Sequence, residues 1–288
     1  MGVWRGVEGA DETRGARFEF PPYRAPRRNR IFGGPYPRIQ TPVTLSSLLR
    51  ATTAVALLGL GTAACVRVSS KRSSNDLAMG AASAATTDEA GWRPLFDGKS
   101  MTGWRGYQSQ AVPDGWRVAA GILQKDKPVG DIISVEQFGD FEVEFEWRIA
   151  EGGNSGIFYR GTEEYDKVYW SATEYQLLDD EKAADGKSRL TSAGAAHSLY
   201  PSPAGHLAPV GQWNVTRIVA KGTHVEHWLN GFKLLEYEVL SADWEARVAA
   251  SKFKPYPNYG RSMRGHFSIQ GDHLGALAFR TIRVRELK

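Results

Sequence analysis

Three short stretches of this chain place acid–base and hydroxyl-binding side chains on strand-like runs or at their ends. In Glu174-Tyr175-Gln176 a period of two sends Glu174 and Gln176 to one face and Tyr175 to the other. A carboxylate beside an amide suits hydroxyl recognition, and the carboxylate can also act as a base; the same pair would suit a solvated outer face. In the run from Gly265 to His273, His266, Ser268 and Gln270 share one strand face, and Asp272 and His273 follow at its end. A histidine beside an aspartate is general acid–base apparatus, half a metal site, or a plain loop pair. The third stretch is the turn Gly152-Gly153-Asn154-Ser155, whose return strand delivers Arg160. Asn154 and Ser155 either serve the turn through backbone hydrogen bonds or, with Arg160, present polar groups to a sugar. His197 sits in a Gly/Ala/Ser-rich loop, and His224 and His227 fall on opposite faces of one strand, which argues against a joint metal site there.

The elements that must position these groups are strands. Phe141, Val143, Phe145, Trp147 and Ile149 alternate with Glu142, Glu144, Glu146 and Arg148, the pattern of a half-buried strand. Similar short runs recur to the C-terminus, and Asn230-Gly231 between two of them is a hairpin signal because both residues tolerate positive φ. Only Ser241 to Lys252 reads as helix, with Trp244 and Val248 four apart. Many short strands with little helix indicate an all-β, antiparallel two-sheet sandwich.

Charge divides the chain. Residues 1–64 hold nine Arg and no Lys against four acidic residues, whereas 65–288 hold 27 basic and 28 acidic residues. The folded part therefore offers no electrostatic argument for nucleic acid. Residues 1–40, rich in Arg, Pro and Gly, are expected to be a disordered extension. Residues 41–65 read as a signal segment, with an apolar run ending in Thr62-Ala63-Ala64-Cys65. That ending resembles a lipobox, so Cys65 is the expected lipidation site, with type I cleavage nearby as the alternative because Thr62 replaces the usual Leu. Residues 66–90 read as a flexible tether, and 91–288 as the folded domain. An exported periplasmic or cell-envelope lipoprotein, anchored to a membrane through Cys65, is the expectation.

Leu95-Phe96-Asp97-Gly98-Lys99-Ser100 with Gly103-Trp104, the run Phe141 to Arg160, Glu174-Tyr175-Gln176, Gly211 to Asn214, Trp228 to Gly231, Ile269 to His273 and Phe279 to Ile282 occur in an order that resembles the 3-keto-disaccharide hydrolase domain family. The resemblance runs from about Gly91 to Leu287 and implies a concanavalin-A-like jelly roll. It also implies cleavage of 3-keto-glycosides: a base removes the C2 proton made acidic by the C3 ketone, the C1 substituent leaves, and water adds back. On matching positions, Glu174 and His273 become the proton-transfer groups, and Arg160 with Asn154 the enolate or hydroxyl binder. Gln176, Gln270 and Asp272 would orient the sugar, or Glu174, Asp272 and His273 would hold a divalent cation; both versions stay open. Trp104 is a candidate for stacking on a sugar face or a core tryptophan beside a turn. The insert from Leu178 to Pro209 departs from the family pattern and leaves the leaving-group side undefined. The competing readings are a non-catalytic carbohydrate-binding envelope lipoprotein, since fold does not fix function, and a structural or partner-binding one.

Overall fold

The computed structural model describes residues 87–288, Glu89 excepted. The expected N-terminal extension, the signal segment with Cys65 and nearly all of the tether lie outside the described residues. In chain order the strands are β1 (Arg93–Pro94), β2 (Trp104–Gly106), β3 (Arg117–Ala119), β4 (Ile122–Lys125) and β5 (Ile132–Phe138). There follow β6 (Phe141–Ile149), β7 (Asn154–Gly161), β8 (Thr173–Leu178), β9 (Asn214–Lys221) and β10 (His224–Leu229). The chain finishes with β11 (Phe232–Glu238), the helix α1 (Ala242–Ala250), β12 (Gly265–Ile269) and β13 (Leu277–Glu286).

These strands form two antiparallel sheets, as the alternation requires. The eight-stranded sheet runs β11-β10-β9-β6-β13-β4-β3 with β1 on β13, and the five-stranded sheet runs β2-β5-β12-β7-β8. Inward residues of both build one core: Phe141, Phe145 and Trp147 from β6 meet Ile157 and Tyr159 from β7, Tyr175 and Leu177 from β8, and Phe267 from β12. Phe141 and Phe267 touch edge to face across the sheets with centroids 4.7 Å apart. Burying each such side chain contributes about 1.5–3 kcal/mol. Asn230 and Gly231 turn the β10–β11 hairpin with φ of 50° and 86°, and Ser241 caps α1 by accepting from Trp244 N.

Two family-like motifs prove architectural. Asp97 accepts from Lys99 N at 2.7 Å and Ser100 N at 2.8 Å, closing a tight turn. Trp104, in the core cluster, donates its indole N–H to Leu95 O at 2.9 Å. Trp104 is thus a core residue with no face for a sugar, which corrects its candidacy as a binding residue: a strand-end indole beside a turn satisfies its polar handle on the turn itself.

The insert after β8 is built into the sheet. Gly194 N donates to Gln176 O at 2.9 Å, Gln176 N to Ala195 O at 3.2 Å and His197 N to Glu174 O at 3.0 Å. The insert so covers the outer edge of β8, which would otherwise present a row of free backbone groups. Its roots are pinned as well: Asp179 accepts from Gly152 N at 2.7 Å, and buried Asn214 accepts from Ala208 N at 2.8 Å. From the core, His227 Nδ1 bonds Gly194 O at 2.9 Å.

Candidate active site

The outer face of the five-stranded sheet carries a cavity of about 300 Å³. Its floor is Asn154 on β7, Glu174 and Gln176 on β8, and Gln270 just past β12; its walls are Tyr169, Asp185, His197, Lys252, Asp272 and His273. The floor follows directly from alternation, because Tyr175, Ile157 and Ile269 take the inward positions.

Glu174 lies across Gly156. A Cβ at Gly156 would stand 2.6 Å from Glu174 Cγ and 2.7 Å from its Cδ, so only glycine leaves room for the carboxyl group. Neighbouring Ser155 turns inward and donates to Gln270 O at 2.8 Å. The Asn154-Ser155-Gly156 motif therefore supplies a floor amide, a tie to the next strand and a gap for the acid. Burial pushes the Glu174 carboxyl up to about 8; the Lys252 charge works against this, while Asp185, Asp131 and Asp272 add to it. The nearest imidazole nitrogen, His197 Nδ1, is 3.9 Å from its Oε2.

A chain of polar contacts crosses the floor. Lys252 Nζ lies 2.8 Å from His197 Nε2, and His197 Nδ1 lies 2.7 Å from Gln176 Oε1. Gln176 Nε2 donates to Asn154 Oδ1 at 2.8 Å, and Asn154 Nδ2 to Asp185 Oδ2 at 3.0 Å. Burial, reinforced by the Lys252 charge, pulls His197 down to about 4, so its ring is neutral near pH 7. Among the described residues two buried oxygens at this cavity have no hydrogen-bond partner, Gln270 Oε1 and Asp272 Oδ1, the latter 3.7 Å from His273 Nδ1. Native proteins rarely leave buried acceptors unmade, and both belong to cavity-lining side chains.

The loop bearing Asp272 and His273 is held from beneath. Lys125, fully buried, reaches from the larger sheet and donates to His273 O at 2.8 Å and Gly275 O at 3.1 Å. Asp131 accepts from Gly271 N at 2.8 Å. Burial pulls Lys125 down to about 8 and pushes Asp131 up to about 6.

Of the residues nominated from sequence, Glu174, Gln176, Asn154, Gln270, Asp272 and His273 come together at this cavity. Arg160 does not. It has φ of 54° and sits where the β7–β12 register shifts, with β7 advancing three residues from Phe158 to Gly161 while β12 advances two. The bulge takes Arg160 out of alternation. Its guanidinium donates to Gly139 O at 2.9 Å, Gly222 O at 2.8 Å and Asp140 Oδ1 at 3.1 Å. Arg160 is therefore a loop clamp, and its candidacy as an enolate binder is corrected. The warning signal was Gly265, where a Cβ would lie 2.6 Å from Arg160 O.

Sequence reasoning gave no role to Tyr169, Asp185 or Lys252, and treated His197 only as a loop residue. Asp185 and His197 come from the insert and Lys252 from the end of the α1 segment. As for a divalent cation, the donor atoms of Glu174, Asp272 and His273 are not gathered into a set of three within 4.8 Å. Among the described residues that set is His224, Glu226 and Glu236 on the other sheet. There Lys233 already reaches Glu226 at 3.4 Å and Glu236 at 2.7 Å.

The fold is a two-sheet β-sandwich with an acid, amides and an imidazole gathered on one outer face. Comparisons with known proteins give the class. Residues 91–285 match the 3-keto-alpha-glucoside-1,2-lyase-like domain, and the chain belongs to this family. It is 34% identical over 232 residues to the 3-keto-disaccharide hydrolase of Bacteroides thetaiotaomicron, covering 69% of this chain and 80% of that one. A crystal structure of a candidate glycosyl hydrolase from Parabacteroides distasonis superposes with a TM-score of 0.64 at 31% identity, covering 69% of this chain and 95% of that one. A second structure from that organism, at 22% identity and TM-score 0.54, shares the fold. The chain is accordingly a carbohydrate-active hydrolase.

Proposed function

We propose that the protein cleaves 3-keto-glycosides, with Glu174 as the base that removes the C2 proton. The observation that carries this reading is the state of Glu174: a buried carboxyl group at a polar cavity, with its proton affinity raised by burial to about 8. A carboxylate of that basicity is far better matched to a weakly acidic C–H than an ordinary glutamate. As Glu174 takes the C2 proton, the C–H electron pair moves into C2–C3, the carbonyl pair moves onto the C3 oxygen, and the ketone becomes an enolate. The enolate then re-forms the ketone and expels the C1 oxygen with its bonding pair; that oxygen takes a proton from His273. Water adds its oxygen to C1 of the enone and gives its proton back to His273, and the proton held on Glu174 returns to C2. Gln270 Oε1 and Asp272 Oδ1, neither with a hydrogen-bond partner among the described residues, would accept sugar hydroxyls, with Asn154 and Gln176 fixing the ring from the floor. No carboxylate pair at glycosidase spacing is needed for this route.

The test is incubation of purified protein with a 3-keto-glucoside carrying a chromogenic leaving group, alongside Glu174→Gln and His273→Ala. Release of the aglycone by wild type, lost in Glu174→Gln, supports the reading; binding without turnover by wild type would make the protein a carbohydrate-binding module instead. We also infer export with an anchor on Cys65, supported by the apolar run ending in small residues before it. Labelling with a radioactive fatty acid, lost in Cys65→Ser, would support the anchor, and unlabelled wild type would remove it.

A further inference from the structure

An enolate needs a positive group or strong donor near its oxygen, and with Arg160 drawn away to the Gly139 and Gly222 carbonyls that need is unmet by the expected residue. Among the described residues lining the cavity, Lys252 is the sole lysine or arginine. An ammonium has three N–H donors and no acceptor, so in the contact with His197 Nε2 at 2.8 Å it is Lys252 that donates. That fixes the whole chain of contacts. His197 must carry its own proton on Nδ1 and donate to Gln176 Oε1, which leaves the Gln176 amide to donate to Asn154 and Asn154 to donate to Asp185. Every donor finds an acceptor in one direction, from the Lys252 ammonium to the Asp185 carboxylate.

We propose that Lys252, oriented by neutral His197, is the electrophilic residue of this site, donating to the C3 oxygen as it becomes an enolate. One of its three N–H groups is used by His197, and among the described residues the other two have no hydrogen-bond acceptor, which leaves them for the ligand. His197 serves as a positioning residue: accepting at Nε2 aims the ammonium, while donating at Nδ1 holds the floor amides. The step balances without any added reactant, because Glu174 takes the proton, the electron pair reaches the C3 oxygen, and Lys252 shares a proton with that oxygen through a hydrogen bond. The side chain comes from the far end of the α1 segment, so the site is completed by a part of the chain remote from the sheet floor.

This proposal rests on the 3-keto-glycoside reading, and the experiment separates the two. Wild type, Lys252→Met, Lys252→Arg and His197→Gln are each incubated with a 3-keto-glucoside in deuterated water. Deuterium entry at C2 is followed by NMR together with aglycone release. Removing a donor to a developing oxyanion slows reaction by ~10²–10³-fold. Lys252→Met is expected to lose C2 exchange and kcat by that factor with KM changed little, and Lys252→Arg to recover part of both. Coincident thermal melting curves would show the fold intact. If wild type exchanges and cleaves while Lys252→Met keeps its exchange rate, Lys252 is not the electrophile and the proposal falls alone. If wild type does neither, the 3-keto-glycoside reading falls and takes this proposal with it.

Discussion

The outer faces of the two sheets carry glutamates by the same alternation and treat them in opposite ways. On β6, Glu142 bonds Arg285 at 2.8 Å and also meets Arg217, Glu144 meets Arg283 at 2.7 Å, and Glu146 meets Arg280 at 2.8 Å. The bulge at Phe279/Thr281 turns both Arg280 and Thr281 toward Glu146. Burial alone would raise the Glu146 carboxyl, but the bonds from Arg280 and Thr281 outweigh it and hold the group below its usual range. On β8, no arginine among the described residues pairs with Glu174; its flanks are a glycine, an amide and a neutral histidine, and burial dominates. Position in a strand sets which way a carboxylate points, whereas its neighbours decide whether it is a surface tie or a base.

Replacement of the unpaired acid should break this contrast most sharply. Glu174→Gln is expected to lower kcat on a 3-keto-glucoside by ~10²–10⁴-fold, the usual reach of a general base, measured by aglycone release. It should also remove a cost to folding. With a folded pKa of about 8 against 4.5 for the free side chain, the native state binds more protons than the unfolded state between those values. Wild-type stability therefore falls as pH rises from about 4.5 to about 8, by roughly 3–5 kcal/mol at full effect, and is flat above. The variant should lack this slope in urea melts, and an identical slope in both proteins would contradict the burial of the charge.

Gly156→Ala comes next. The new methyl group meets the Glu174 side chain 2.6 Å from its Cγ, so the acid must move, and a displacement of that kind costs catalysis about 10²-fold. The strand should survive, giving a folded but slow enzyme. Arg160→Met tests the clamp: it leaves the carbonyls of Gly139 and Gly222 without their donor, while Asp140 keeps the Gly222 N–H, and should cost about 3 kcal/mol in denaturant midpoint stability. Its KM should match wild type, whereas a large loss of kcat in a protein with unchanged melting would return Arg160 to the chemistry. The smallest effect belongs to the paired face: Glu146→Gln should shift stability by no more than about 1 kcal/mol and leave turnover unchanged.

Local alternation made the two-sheet fold and the floor of the cleft legible, because Glu174 and Gln176 alternate with inward Tyr175 and Leu177 on a strand without a register shift, and Gln270 follows inward Ile269 beyond the shift in β12. It failed at Arg160, where one extra residue in β7 adopts a left-handed conformation that its side chain does not announce. Trp104 misled for a different reason: an exposed sugar platform and a core indole have the same letter, and only the Leu95 carbonyl separates them. Of the walls, Asp272 and His273 were legible at a strand end, whereas Asp185, His197 and Lys252 reach the cleft from distant loops, and their arrival depends on packing between segments that no local period encodes.

The insert strapped along β8 has one more consequence. Because its backbone is already bonded to Gln176 and Glu174 and its Gly194 carbonyl is tied to His227 in the core, the wall carrying His197 stands in place before any ligand arrives. Substrate entry then requires no loop to be frozen, so little ordering entropy is charged against affinity. Amide protons of Gly194 and His197 should exchange with solvent as slowly as those of the central strands, and binding of a sugar should leave them unchanged.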